Sequence, residues 1–202
     1  AGRALFDVLD TDVPGLPQPE RSFRISQTTQ KRFSQVLNIF RTIIKVDIDP
    51  TQYTQTKMKF TCDVYARPQV VLTIQSPNEK DFAAFVKKNS RSIIDFLVKV
   101  EMNRQINELE EKHSEAVSQL AEEIFKCQLW APAEIKSYKK GKDFFWASSN
   151  TASGLVNICM YSYPYEGPRT FNKQYVLAKR DSVMKANIPG TEPRMYMATD
   201  TL

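Results

Sequence analysis

The sequence lacks the short motifs that bind phosphates or metals in the common enzyme classes. Its 202 residues include only six glycines, three cysteines and one histidine. It contains no glycine-rich nucleotide loop, no Gly-x-Ser-x-Gly elbow, no His-Glu-x-x-His pair and no calcium-binding loop. A structural zinc site is not expected, because no Cys-x-x-Cys pair accompanies His113. We therefore expect neither a metal nor a cofactor, and the sequence assigns no catalytic residue.

Long apolar runs and a strong charge of one sign are also missing. No stretch approaches the roughly 20 apolar residues that a membrane-spanning helix needs. The 28 basic residues exceed the 23 acidic residues by only five. Nucleic-acid-binding proteins concentrate basic residues on one face, so we expect no nucleic-acid partner. The densest basic cluster surrounds a predicted hairpin turn, at Lys136, Lys139, Lys140 and Lys142.

What remains is the composition of an ordinary folded protein, with 42% hydrophobic and 25% charged residues. The order of the patterns predicts one α+β domain over residues 1–202, in which a mixed, mostly antiparallel sheet packs on helices. We divide it into a strand-helix-strand half (1–76), a long helical segment (77–127) and a strand-rich half (128–202). Both ends look unlike natural chain ends, which favours a fragment of a longer protein.

The first half alternates between strand and helix patterns. Phe23 and Ile25 alternate with polar neighbours as in a strand, and apolar residues then recur at helical spacing over 33–40. The β-branched run 42–48 predicts a second strand. The run 70–74 is apolar enough to predict a central strand of the sheet.

The helical segment must bend or break. Asn78 is a favoured N-cap, and neither glycine nor proline occurs between 79 and 126. A straight helix of that length would measure about 70 Å, which is too long for a compact domain of this size. We predict the break at 89–92, where Asn and Ser side chains compete for backbone hydrogen bonds.

The most regular pattern in the chain lies in the second part of this segment. Apolar residues recur there by threes and fours over about three heptads, the spacing of a coiled-coil seam. Such a seam either covers the protein's own sheet or contacts a partner helix, and the pattern leaves both open. The candidate partner seam consists of Met102, Ile106, Leu109 and Leu120.

Aromatic residues concentrate after residue 128. Strand alternation places Tyr161 and Tyr163 on one face, and Tyr165 follows Pro164 in a loop. Such rings either fill a core or stack on a ligand such as a sugar. Adjacent Arg180 and Asp181 are expected to point apart and to pair elsewhere. The candidate ligand-binding residues are Trp146, Tyr161, Tyr163 and Tyr165.

Six segments, taken together and in order, resemble one family. They are DVPGLPQPE (12–20), RPQVV (67–71), EMNR (101–104), KDFFWAS (142–148), YSYP (161–164) and RDSVMKANIPG (180–190). The chain resembles, over nearly its whole length, a domain-of-unknown-function family of predicted envelope lipoproteins from Bacteroidetes-type bacteria. Its members are longer at both ends. The resemblance implies export and lipid anchoring at a cysteine outside this sequence, and it implies no activity.

We therefore expect a non-enzymatic binding or structural module of the cell envelope. It would contact an envelope protein or glycan through the seam or the aromatic region, and would meet the membrane only through its lipid anchor. The alternative is a carbohydrate-binding module or a glycan hydrolase with an aromatic cleft near 143–165. In that case Asp143 or Glu101 would be the candidate acid. The sequence leaves the oligomeric state open.

Overall fold

The computed structural model of the protein describes residues 2–16, 18–33, 35–151, 154–192 and 194–200. Its residue contacts divide the chain into two compact units, Ala1–Asn103 and Arg104–Leu202. Each unit has helices, a three-stranded sheet and an apolar core of its own. The α+β class is thereby confirmed, with two sheets in place of one, whereas the single domain over 1–202 stays a prediction.

The sheet of the first unit is mixed. Its strands are β1 (Thr42–Ile48), β2 (Lys57–Cys62) and β3 (Val70–Ser76), in the order β1-β3-β2. Strand β3 runs parallel to β1 and antiparallel to β2. Leu72 and Ile74 are fully buried, which confirms the predicted central strand.

Helices cover one face of this sheet. They are α1 (Gly2–Leu9), α3 (Glu79–Lys88) and α4 (Ser90–Glu111), whereas the short α2 (Gln35–Asn38) precedes β1 in the chain. Helix α3 packs on β3, and α1 packs on α3. The core between these elements is formed by Leu5, Leu9, Leu72, Ile74, Phe82, Val86, Ile93 and Leu97.

Two local predictions for the first unit are wrong. Phe23 and Ile25 lie outside any strand and instead pack against the core. The helix expected over 33–40 is reduced to α2, after a 3₁₀ turn at Gln30–Arg32. The reason is the buried side chain of Gln69, whose amide donates to the carbonyl oxygens of Asn38 and Phe40 at 2.6 and 2.8 Å. In a longer helix these two carbonyl oxygens would accept hydrogen bonds from backbone amides of the next turn, but here they accept from the Gln69 side chain.

The helical segment breaks twice. Asn78 caps α3 by accepting a hydrogen bond from the Asp81 amide. The first break lies at Asn89, within the predicted range 89–92. A second break separates α4 from α5 (Glu115–Phe125), with Ser114 as the N-cap. The Ser114 amide donates to Ala131 O at 2.8 Å and its hydroxyl donates to Ile135 O at 2.6 Å. The candidate seam is therefore divided between two helices, with Met102, Ile106 and Leu109 on α4 and Leu120 on α5.

The sheet of the second unit is antiparallel. Its strands are β4 (Ser137–Gly141), β5 (Phe144–Thr151) and β6 (Gly154–Tyr161), in that order. Phe145 and Ala147 face α5 and join the core of this unit. Helix α6 (Lys173–Asn187) lies at the opposite face, where Lys139 Nζ donates to Asn187 O at 2.6 Å.

No helix in the described parts of the chain combines the length and the apolar composition that a membrane crossing requires.

Candidate functional site

Three of the four predicted ligand-binding residues lie close together. Tyr161 ends β6, and Tyr163 and Tyr165 follow in the loop before α6. The rings of Tyr161 and Tyr163 stack, with centroids 6.2 Å apart. Trp146 lies on the same face of the sheet, paired with Cys159 two residues before Tyr161, and its indole nitrogen donates to Asn157 Oδ1 at 2.9 Å. Among the described residues, no ring contact joins Trp146 to the three tyrosines.

Helix α6 adds two residues that the sequence did not single out as ligand-binding. The Tyr175 ring lies 6.0 Å from the Tyr163 ring. The Lys179 ammonium lies 5.4 Å from the Tyr163 centroid and 5.7 Å from the Tyr175 centroid. Both distances fall within the range of cation–π attraction. Lys179 therefore holds the loop tyrosine against the helix tyrosine.

The loop before α6 presents a further aromatic pair. Tyr165 and Phe171 have ring centroids 5.5 Å apart, although 63% and 78% of their surfaces are exposed. The loop is held by the buried Thr170, whose hydroxyl accepts a hydrogen bond from the Glu166 amide at 3.0 Å. We call Tyr163, Tyr165, Phe171 and Tyr175 the aromatic surface.

Glu166 links the two halves of the aromatic surface. Its amide is fixed by Thr170, and its carboxylate accepts a hydrogen bond from the Tyr175 hydroxyl at 3.3 Å. Tyr165, its neighbour in sequence, is thereby tied to the first turn of α6. The exposed rings consequently stand on a loop with defined hydrogen bonds, beside a carboxylate, a phenol and the Lys179 ammonium.

A polar cluster lies next to Tyr161. The Arg180 guanidinium donates to Asp181 Oδ1 at 3.1 Å and to Thr199 Oγ1 at 2.6 Å. The Thr199 hydroxyl in turn donates to Asp181 Oδ1 at 2.6 Å. The expectation that Arg180 and Asp181 pair elsewhere is therefore wrong, because Thr199 draws both side chains to one point.

This cluster and its burial shift three pKa values. Hydrogen bonds from Thr199 hold the pKa of Asp181 below its ordinary value of 3.8. Burial raises the pKa of Tyr161, and the neighbouring Tyr163 adds to the effect. Burial also raises the pKa of Cys159, against the opposing charge of Arg180. At neutral pH Asp181 is thus a carboxylate, and Tyr161 and Cys159 are protonated.

The two candidate acids belong to different units. Asp143 occupies the β4–β5 turn, with a left-handed φ of 52°. Its carbonyl oxygen accepts a hydrogen bond from the Ser162 amide at 3.1 Å, so its backbone supports the loop that follows β6. Glu101 lies on α4 in the first unit. Among the described residues, no group of three or more His, Cys, Asp or Glu could hold a metal ion.

A family model described as Domain of unknown function (DUF8532) matches residues 1–110, more than half of the chain. The chain belongs to the DUF8532 family. A second model, described as Domain of unknown function (DUF4837), matches residues 114–202. Comparisons with curated proteins and with solved structures give no match.

The family boundary coincides with a structural one. The DUF8532 match ends within the last turn of α4, and the DUF4837 match begins at Ser114, the N-cap of α5. The aromatic surface lies wholly within the DUF4837 part. Neither description names an activity, so any function has to be argued from the residues themselves.

The members of the candidate seam have different surroundings. Met102 and Ile106 lie in the DUF8532 part and are 56% and 49% exposed on α4. Leu109 lines an open groove of about 810 Å³ together with Pro132 and Ala133. Leu120 is only 5% exposed and belongs to the core of the second unit. The partner role of the seam stays a prediction.

Proposed function

We propose that this chain is a non-enzymatic binding module of the cell envelope and that its aromatic surface binds a carbohydrate chain. The observation that carries the proposal is the Tyr165–Phe171 pair, which remains mostly exposed on a hydrogen-bonded loop. Exposed apolar rings cost free energy in water, and an adjacent group of them is typical of a binding site.

The polar atoms around the rings favour a carbohydrate over a purely apolar ligand. A sugar presents a face of C–H groups that packs on an aromatic ring and a rim of hydroxyls that needs hydrogen-bond partners. The Glu166 carboxylate and the Tyr175 hydroxyl, which lie 3.3 Å apart, supply such partners beside the exposed rings. The Lys179 ammonium adds a donor.

The carboxylate beside Tyr161 is unsuited to the acid step of glycoside hydrolysis. Glycoside cleavage needs a carboxylic acid that stays protonated near neutral pH beside a second carboxylate. Asp181 is the acid of the hydrogen-bonded cluster beside Tyr161, and its pKa is lowered by Thr199. It is therefore ionised when it would have to donate a proton.

The cellular setting rests on the resemblance of the six sequence segments. That resemblance supports export and a lipid anchor outside this sequence, which would hold the module at the cell envelope. A glycan of the envelope is then the carbohydrate that such a module would meet.

Affinity electrophoresis tests the proposal directly. The protein is run through native gels with and without soluble peptidoglycan glycan strands. We expect these strands to retard the protein and the double variant Tyr165→Ala/Phe171→Ala to lose the retardation. Leu155→Ala is the matched control, because Leu155 is a 65% exposed apolar residue of the same unit, on β6. Equal retardation of the double variant would contradict the proposal.

Hydrolysis is tested in the same samples. We expect the number of reducing ends to stay constant while the protein binds the strands. A time-dependent increase in the number of reducing ends that requires the protein would show that the protein is an enzyme and would contradict the proposed binding module.

A further inference from the structure

The face of the first sheet opposite the helices carries a row of basic residues. Ile44 and Met58 pack against the core. Because side chains alternate along strands, Lys45 on β1 and Lys59 on β2 point to the other face. The strand register places both opposite Thr73 of β3. The two lysines therefore flank this threonine in one row across the sheet, with Cα atoms roughly 10 Å apart.

A third lysine extends this row. Lys57 lies two residues before Lys59, on the same face, and pairs with Gln75. All three lysine side chains are exposed, and in the described part of the chain none of them forms an ion pair. We call Lys45, Lys57 and Lys59 the lysine face.

Neighbouring polar groups define the surroundings of the lysine face. The Lys45 ammonium contacts the Tyr65 hydroxyl at 3.4 Å. Asp47, the acidic residue of β1 on this face, is held by the Tyr53 hydroxyl at 2.5 Å. Gln75 donates to that same hydroxyl at 2.7 Å. The Asp47 carboxylate keeps its charge while it accepts this hydrogen bond, so the face presents three ammonium groups against one carboxylate.

We infer that the lysine face binds an acidic polysaccharide, through its carboxylate groups and the hydroxyls between them. The face presents three exposed ammonium groups that form no ion pair among the described residues, so an anionic ligand would neutralise charge that the protein itself leaves uncompensated. Charge complementarity is therefore the argument for the occupant. Thr73 and Gln75, which lie between the lysine-bearing strands, offer hydroxyl and amide groups to the sugar hydroxyls.

Two other anionic partners fit less well. Proteins that bind single-stranded nucleic acid place aromatic rings between their basic residues so that bases can stack. Thr73 and Gln75 stand between the lysines here, and the neighbouring Tyr53 and Tyr65 are engaged through their hydroxyls with Asp47 and Lys45. Binding to an anionic membrane surface is strengthened by apolar side chains that enter the lipid. The apolar side chains Met58 and Phe60 belong to the helix-covered face.

The competing structural explanation is protection of the sheet edges. Strands β1 and β2 are the two edges of this sheet, and exposed lysines discourage edge-to-edge pairing between copies. That explanation predicts self-association when the lysines are lost. It predicts no selective affinity for polyanions.

The test is a titration of polygalacturonate into the whole chain at low ionic strength, followed by calorimetry. We expect Lys45→Gln/Lys59→Gln to weaken binding at least about tenfold and to flatten its salt dependence. Lys45→Arg/Lys59→Arg keeps both charges and should restore the affinity. The charge-matched control is Lys80→Gln/Lys99→Gln, since both residues are exposed on helices of the same unit.

Four results would overturn the inference. Two concern the variants: full binding by Lys45→Gln/Lys59→Gln, or an equal loss of binding in the control variant Lys80→Gln/Lys99→Gln. The other two concern the ligand: oligothymidylate or phosphatidylglycerol vesicles that bind more tightly than polygalacturonate, or neutral dextran that binds as tightly as polygalacturonate. The inference concerns another unit and is independent of the aromatic surface. Tyr165→Ala/Phe171→Ala should therefore leave polygalacturonate binding unchanged, whichever way the peptidoglycan experiment turns out.

Discussion

Tyr165 and Phe171 lie with their ring centroids 5.5 Å apart while most of each ring remains exposed to solvent. The hydrogen bond from the Glu166 amide to the Thr170 hydroxyl fixes the loop that carries the pair. Burial of the two rings contributes little to their placement. An exposed ring pair held in this way contributes more to recognition than to stability.

The first prediction follows from this exposure. Tyr165→Ala/Phe171→Ala should lower the free energy of unfolding by no more than about 1.5 kcal/mol, the upper value for an aromatic pair. Urea denaturation monitored by circular dichroism measures the change. A loss of about 3 kcal/mol or more would mean that the rings are part of a core, as in Phe→Ala substitutions at buried sites.

The second prediction separates the members of the candidate seam. Met102→Glu and Ile106→Glu, made separately, should each change the free energy of unfolding by about 0.5 kcal/mol or less, because both side chains are half exposed. Leu120→Glu should cost several kcal/mol, because it places an unpaired carboxylate in the core of the second unit.

Light scattering after gel filtration gives the complementary readout for the seam. If Met102 or Ile106 contacts a second copy of the chain, wild type forms oligomers and the glutamate variants are monomeric. Identical molar masses for wild type and both variants would show that the seam does not contact a second copy of the chain. A large loss of stability in either variant would show that its side chain belongs to a core.

Local signals in the sequence predicted much of the fold. Asn78 and Asn89 bound α3 because their side chains satisfy backbone groups within four residues, at Asp81 N and Phe85 O. The second break escaped prediction, since Ser114 is held by Ala131 and Ile135, which lie more than 15 residues along the chain. The short α2 depends in the same way on Gln69. Both the second break and the short α2 are therefore set by hydrogen bonds between residues that are distant in the sequence.

The candidate site was predictable only in part. Tyr161 and Tyr163 lie together as predicted, but β6 ends at Tyr161, so the loop and not strand alternation brings the two rings together. The contribution of α6 depends on how the helix returns to the loop, which no short-range pattern encodes. The spacing of four residues between Phe171, Tyr175 and Lys179 was the available signal, but a buried helix face explains such spacing equally well.

The third prediction concerns acid stability. Hydrogen bonds from Thr199 lower the folded-state pKa of Asp181 below 3.8, its value in the unfolded chain. The stabilisation of the folded protein by ionised Asp181 is therefore fully present above pH 3.8. It is lost as the pH falls through the folded-state pKa. Thr199→Val should therefore destabilise the protein above pH 4, and the difference from wild type should shrink at lower pH.

Thermal unfolding across this pH range measures the effect of Thr199→Val. Thr54→Val, at an exposed position of the first unit, is the control and should follow wild type at every pH. A difference between Thr199→Val and wild type that grows as the pH falls would contradict the assignment.

The fourth prediction concerns the three free thiols, Cys62, Cys127 and Cys159. Cys62 is exposed, whereas burial raises the pKa of Cys159 and lowers its thiolate fraction. Iodoacetamide at neutral pH should therefore label Cys62 first and Cys159 much more slowly, as followed by peptide mass spectrometry. Equal labelling rates in the native protein would contradict the described burial, and labelling in urea provides the reference rate.

The central claim, that the aromatic surface binds an envelope glycan, is tested most directly by hydroxyl-radical footprinting with soluble peptidoglycan strands. We predict that saturating strands lower the oxidation of Tyr165 and Phe171, while the exposed control residues Tyr138 and Phe60, each 57% exposed, keep their rates. Unchanged oxidation of Tyr165 and Phe171 under conditions where the strands bind would contradict the claim and move the binding site elsewhere on the protein.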